Sequence, residues 1–326
     1  MNLIFLLIVF FILHKIINTN KNFLYKKYFL DHPNLKRKLH KSPTYLIGGH
    51  FIFIILLTEY FIDYYNGLTL ATNFTIFCSY VFFIGIIDDI KDTKAEIKLF
   101  FILIGYIFLV FLDDNYLLSK IYIQELDQTV HFGNFSLLIS VLCVLLLINA
   151  FNLIDGINGL AMILFILSSF TLHLYLDYNI EFFSLILYFL IFYNIYKGKY
   201  FLGNSGSLIV GSIIALQSIE LYNQNINSFY PSENLIILFL LPGIDMFRLF
   251  IQRILKKQNP FNGDNFHLHH IMIKNMKLET VLLVYFLIIS VSSYCAFNEI
   301  FSKYILLFSV TFLYFFLLIY FKNKNN

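Results

Sequence analysis

Two adjacent carboxylates, Asp88 and Asp89, close an apolar run in GIIDDIKD, with Asp92 one helical turn beyond. Side by side, such groups repel unless a cation sits between or beside them, and a hard cation carrying phosphates suits the arrangement. The same residues also fit a solvated helix end paired with Lys91 and Lys94. A second cluster, NAFNLIDGINGL, spaces Asn149, Asn152 and Asp155 three apart. That interval puts two amides and a carboxylate on nearly one helix face, and Gly156 and Gly159 let the backbone turn after them. A helix corner held by capping amides is the plainer reading, but a corner needs fewer such groups. FLGNSGS, residues 201 to 207, sets glycines, Ser205 and Ser207 ahead of an apolar run whose first amides can face an anion; a tight turn would use the same residues. NPFNGDNFHLHH ends in His267, His269 and His270. A shared tetrahedral zinc site is awkward for the adjacent pair His269 and His270, and no cysteine joins them, so phosphate or base contacts fit better.

These clusters, with DHPNLKRKLH at residues 31 to 40, interrupt a chain that is otherwise continuously apolar. Hydrophobic residues make up 59% of the 326 positions and charged residues 13%, and the mean hydropathy is +0.74. A soluble domain carries roughly 25% charged residues, so the composition is that of an all-α polytopic membrane protein. Cys78, Cys143 and Cys295 all lie in apolar runs and read as small core residues, not as a disulfide framework or a zinc site. No internal repeat or soluble domain stands out, and residues 1–326 read as one integral membrane domain.

Apolar runs predict about eleven spans, near residues 1–14, 45–62, 70–87, 98–112, 134–151, 159–176, 182–196, 207–222, 234–250, 280–297 and 302–321. The first run lacks a small-residue cleavage site, and its basic residues follow it, so it reads as a span with the N-terminus outside. This threading puts 21 of the 23 Lys and Arg on one side, leaving Lys120 and Lys303 opposite. The excess marks that side as cytoplasmic and puts the C-terminus there. All five polar clusters fall on the same face, at helix ends. Between residues 113 and 133, on the outer side, the alternation in KIYIQEL and TVHF predicts a small hairpin. The net charge of +3 matters through this sidedness and through contact with anionic lipid, and no nucleic-acid partner is expected. A transporter would carry its acids at the middle of broken spans, whereas these lie at cytoplasmic ends.

Taken in order from about residue 31 to 270, the clusters resemble the polyprenyl-phosphate N-acetylhexosamine-1-phosphate transferases of glycosyltransferase family 4, in the WecA/TagO-like branch related to MraY. DHPN with Arg37, Lys38, His40, Pro43, Gly48 and Gly49 resembles the family's first cytoplasmic motif. GIIDDIKD with Lys98 resembles the acidic motif, and NAFNLIDGINGL and FLGNSGSLIVG the central ones. PFNGDNFHLHH is similar to the branch's PFxxDxxHxHH. The resemblance implies ten or eleven helices around a cytoplasm-facing cleft in the inner membrane. It also implies transfer of a sugar 1-phosphate, N-acetylglucosamine or another N-acetylhexosamine, from a UDP-sugar to undecaprenyl phosphate, releasing UMP and initiating cell-envelope glycan synthesis. Mg²⁺, with Mn²⁺ as a substitute, is the implied cofactor. Asp88 and Asp89 are then assigned to the acceptor phosphate and metal, Lys98 to phosphate, and Asn152 and Asn204 to the metal. Asp155 and Asn158 are assigned to the nucleotide, with Asp155 counted among the catalytic carboxylates, and His267, His269 and His270 to the donor diphosphate or sugar. Asn204 and Asn158 stand where the family usually has Asp, which leaves open a working variant, altered donor choice or an inactive homologue. Homo-oligomers are left open too.

The threading has a direct check. In a background lacking the three natural cysteines, Asn262→Cys should resist an impermeant maleimide applied from outside, while Asp127→Cys should react; labelling of position 262 from outside would reverse the orientation.

Overall fold

The computed structural model describes residues 28–31, 43–65, 72–176, 182–226, 230–260 and 264–325. The first predicted span, near residues 1–14, and Arg37, Lys38 and His40 lie outside these. Lipid offers peptide groups no hydrogen-bond partner, and a helix satisfies them within a single segment. Each of the ten predicted apolar runs after the first overlaps a helix. They are α1 (Gly48–Tyr65), α2 (Thr72–Lys91), α3 (Ala95–Leu112), α4 (Ser136–Ile154), α5 (Leu160–Leu176), α6 (Phe182–Tyr196), α7 (Gly203–Asn225), α8 (Ser232–Leu255), α10 (Leu278–Phe297) and α11 (Lys303–Asn325). A short helix, α9 (Leu268–Ile273), lies between α8 and α10. Among the described residues seven helices, namely α2, α3, α4, α7, α8, α10 and α11, are long and apolar enough to cross a membrane, and α1, α5 and α6 carry shorter apolar stretches.

Helix α7 is the axle of the bundle. Its apolar window is 94% buried, against 22–44% in the other six long helices. Water does not drive helices together inside a bilayer, so close packing of small residues must. A Cβ added to Gly49 of α1 would fall 2.4 Å from the Gly206 amide nitrogen, and one on Gly85 of α2 would fall 2.4 Å from Ser205 Cα. On Gly211 of α7 it would lie 2.9 Å from Ile148 Cα of α4. Three helices thus press their backbones against α7, two of them at its first turn.

Among the described residues, two small sheets accompany the helices. The predicted hairpin is present as β3 (Lys120–Ile123) and β4 (Gln128–His131), antiparallel with Lys120 opposite His131. A second sheet, which the alternation pattern does not announce, joins β1 (Leu30–Asp31), β2 (Thr44–Leu46) and β5 (Tyr200–Phe201) in that order. Its β2–β5 pairing is parallel, with Tyr45 beside Tyr200. It ties the strand before α1 to the strand before α7, so both helices start from one platform.

Gly85→Leu should therefore cost at least the roughly 1–3 kcal/mol of an overpacked interior, seen as a lower unfolding midpoint of the detergent-solubilised protein. A Cβ on Gly243 of α8 meets nothing within 4 Å. Gly243→Ala should leave the midpoint unchanged or raised.

Candidate active site

The first turn of α7 begins at Gly203, whose φ of +78° is left-handed and favours glycine. A Cβ there would also lie 3.0 Å from Asp89 Oδ2. The opening amides of a helix have no partner within it, and Asp89 supplies one from α2. Its Oδ1 accepts the Asn204 N–H at 2.7 Å and its Oδ2 the Ser205 N–H at 3.0 Å. The anion at this helix start is thus a side chain of the same protein.

Asp88 points elsewhere. It is 2% exposed, and its Oδ1 accepts Thr93 N at 2.8 Å and Thr93 Oγ1 at 2.7 Å. Its Oδ2 pairs with Lys98 Nζ at 2.6 Å. A solvated helix end bridged to Lys91 and Lys94 is ruled out by this burial. The two adjacent acids therefore differ in kind: Asp88 is compensated by a cation and closes the α2–α3 turn, while Asp89 is half-buried and, among the described residues, has no cation in ion-pair reach.

The NAFNLIDGINGL cluster enters from the end of α4. Asn152 Oδ1 accepts Ser207 Oγ at 2.9 Å, which fastens α4 to the second turn of α7. Asn149 instead faces α8, with Nδ2 3.4 Å from Met246 Sδ. Asp155 follows the last residue of α4. Burial raises its carboxyl well above the usual carboxylate range, and repulsion from Asp89 adds to the shift. Asn158 turns toward the α6–β5 connection, where a Cβ on Gly198 would meet its Nδ2 at 3.7 Å. Gly156 has no room for a side chain, since a Cβ would fall 2.3 Å from His269 Nε2 and 2.5 Å from His270 Nε2. That contact brings the α4–α5 turn against the histidine segment.

The three histidine rings cluster, His267 stacked on His269 with centroids 5.4 Å apart and His270 tilted against His269 at 4.3 Å. Burial and the neighbouring imidazoles hold His269 well below the usual histidine range, and His270 is lowered to about 4, chiefly by burial. Both rings are neutral near pH 7. The segment is held by residues the motif reading does not include. Asp245 of α8 binds His267 Nδ1 at 2.9 Å, and Arg248 Nη2 reaches Asp245 Oδ1 at 2.9 Å and Phe266 O at 2.7 Å. Arg253 clamps Asp264 through Nε at 2.9 Å and Nη2 at 2.8 Å. The signal for them was present in LPGIDMFRLFIQR: an acid and two arginines inside an apolar run are expensive in lipid and need partners.

The structure thus links the clusters in a chain of contacts from Asp89 through Asn204, Ser207 and Asn152, and from Asp155 and Gly156 to His269 and His270. Among the described residues, no three carboxylate, imidazole or thiol side chains converge as a metal cage. Mg²⁺ does not need one: it is commonly held by one or two carboxylates, with water and substrate phosphates completing the shell. Asp89 and Asp155, acids that repel and lack a cation among the described residues, and the side-chain oxygen of Asn152 are hard oxygen donors of the kind it takes.

The profile of glycosyl transferase family 4 matches residues 71–222, which hold the acidic pair, the α4–α5 turn and the start of α7. An undecaprenyl-phosphate alpha-N-acetylglucosaminyl 1-phosphate transferase of Escherichia coli (strain K12) is 28% identical over 259 residues, covering 75% of this chain and 69% of its own. A relative in Thermotoga maritima with the same description is 28% identical over 261 residues, covering 79% of this chain and 78% of its own. The probable undecaprenyl-phosphate N-acetylglucosaminyl 1-phosphate transferase of Bacillus subtilis (strain 168) is 28% identical over 250 residues, covering 74% and 68%. Over residues 71–222 the chain is thus similar to glycosyl transferase family 4.

Proposed function

We propose that the protein transfers N-acetylglucosamine 1-phosphate from its UDP-sugar to undecaprenyl phosphate at the cytoplasmic face of the inner membrane, within a bundle of eleven spans. The reading rests on one observation above all: Asp89, Asn152 with Asp155, Asn204 and the histidine cluster, from four separate stretches of sequence, come together where helices end. The relatives' names supply the substrates, and the charge asymmetry of the loops supplies the side.

In this reaction an oxygen of the acceptor phosphate forms a bond to the β-phosphorus of the donor, the bond from that phosphorus to the bridging oxygen breaks, and UMP leaves with the electron pair. Two anions must approach, so the site has to offset their repulsion and hold them in line. Mg²⁺ bound at Asp89, Asp155, Asn152 and Asn204 would supply that neutralisation. Asp89, fixed by two backbone amides, has its carboxylate oriented before any ligand arrives. Lys98, whose charge Asp88 already balances, has a place in the structure as well as at phosphate. Neutral His269 and His270 suit hydrogen bonding to the donor and not ionic attraction.

The acceptor's tail also has a place. An apolar cavity of about 950 Å³ lies between α4, α7 and α8, lined by Val144, Leu147, Ala215, Ile219, Leu235 and Phe239. It extends from Leu118 and Phe132 beside the hairpin to Arg248, near the histidine segment. A prenyl chain in this groove would bring its phosphate toward the helix ends.

With UDP-N-acetylglucosamine and undecaprenyl phosphate, purified protein should form the lipid-linked sugar phosphate and UMP. Asp89→Asn and Asp155→Asn should each lower kcat on the order of 10²-fold or more, equivalent to about 2.7 kcal/mol, without loss of the folded state. Near-native turnover by both variants at limiting Mg²⁺ would remove these carboxylates from the site.

Asn204→Asp should lower the Mg²⁺ concentration giving half-maximal rate, because a carboxylate adds one negative charge beside a divalent cation. An unchanged metal dependence in an active protein would place Asn204 outside the metal's shell.

A further inference from the structure

Asp245 lies on the membrane helix α8, only 6% exposed, where a carboxylate persists only if it is thoroughly partnered. Four donors converge on it: Arg248 Nη2 at 2.9 Å, Tyr314 OH of α11 at 2.7 Å, Leu268 N at 3.2 Å and His267 Nδ1 at 2.9 Å. Tyr314 OH in turn accepts Arg248 Nε at 2.5 Å. Arg248 also donates to Phe266 O, so two side chains of α8 grip three consecutive residues, 266 to 268, at the entrance to α9. Structural anchoring needs only the backbone contacts at Phe266 and Leu268. The bond to the imidazole does something further.

Because Arg248 already balances the charge of Asp245, the carboxylate has no need of an imidazolium and serves His267 as an oriented acceptor. A ring that donates through Nδ1 keeps its lone pair on Nε2, as in metal and triad sites where a carboxylate selects the tautomer. His267 Nε2 is buried and has no hydrogen-bond partner among the described residues. A lone pair repels a phosphate oxygen and accepts from a hydroxyl or an amide N–H.

We propose that Asp245 is a positioning residue for the transfer, holding His267 in the Nδ1–H tautomer so that Nε2 accepts a hydrogen bond from a hydroxyl or amide N–H of the donor sugar. This rests on the transferase reading above, and it narrows the expected role of His267 from diphosphate or sugar to sugar. Asp245 acts on the reaction only through that ring.

The test joins a spectroscopic measurement to a kinetic cycle on the full chain in nanodiscs. Nitrogen-15 histidine spectra at neutral pH, assigned by His267→Gln, should show His267 protonated on Nδ1 alone. Asp245→Asn should abolish that signature. With UDP-N-acetylglucosamine and undecaprenyl phosphate, Asp245→Asn and His267→Gln should each lower kcat/KM by about 10–100-fold, the range for losing such a partner, and the double variant should fall no lower than His267→Gln alone. Losses that multiply in the double variant would show that Asp245 acts independently of the ring and would overturn the proposal. If Asp245→Asn does not fold, the natural protein decides: His267 protonated on Nε2 or on both nitrogens would overturn the assignment, and protonation on Nδ1 alone would support it. Natural protein that makes no product, yet shows the Nδ1–H tautomer, would sink the transferase reading and leave the Asp245–His267 pairing intact.

Discussion

The Asp89 carboxylate bonded to the first amides of α7 is the interaction on which the site depends. Helix α7 is buried along nearly its whole length, so its orphan N–H groups have little water to turn to. A carboxylate answers two amides at once and is favoured by the positive end of the helix dipole. The glycine contacts make this reach feasible, since Gly85 sets α2 against Ser205 one turn away from Asp89. Once that junction is made, Asn204 follows as the next residue of α7, and Ser207 draws in Asn152 from α4. A structural cap and a candidate ligand are the same side chain. Each oxygen of Asp89 has a second lone pair, so capping the helix does not use up its capacity for a cation.

The division of labour between the paired acids follows from charge balance. Lys98 neutralises Asp88, and no comparable partner reaches Asp89 or Asp155 among the described residues. Neither acid is compensated by a cation among the described residues, and repulsion from Asp89 adds to the burial that raises the Asp155 carboxyl.

Much of this could be read from the chain. Hydropathy located the helices because lipid forces a long apolar run to be one, and the clusters stood out because polar groups near lipid are rare. Pairing was not readable. Nothing in GIIDDIKD distinguishes the acid that meets Lys98 from the acid that meets α7, because the difference arises from partners ten and more than a hundred residues away. The β1–β2–β5 sheet is equally silent, since its strands of two and three residues are too short to show a period. Asp245 was legible in principle. An apolar window averages it away, whereas the cost of a lone acid in such a run singles it out.

The site is built in two halves with different mechanics. Asp89, Asn204, Asn152 and Asp155 sit on helices whose backbones touch at glycines, where small displacements meet hard contacts. The histidines ride on a segment held by side chains, with Arg253 on Asp264 and Asp245 with Arg248 on residues 266 to 268. The halves meet at Gly156 against His269 and His270, a contact that any side chain at 156 would break. A phosphoryl transfer needs its metal and phosphates fixed to within a fraction of an ångström, which backbone packing provides. Sugar recognition is set by a few hydrogen bonds and tolerates exchange of one polar side chain for another. On the proposed reading, the backbone-packed half would hold the metal and phosphates, and the side-chain-anchored half would be where a change of donor is accommodated.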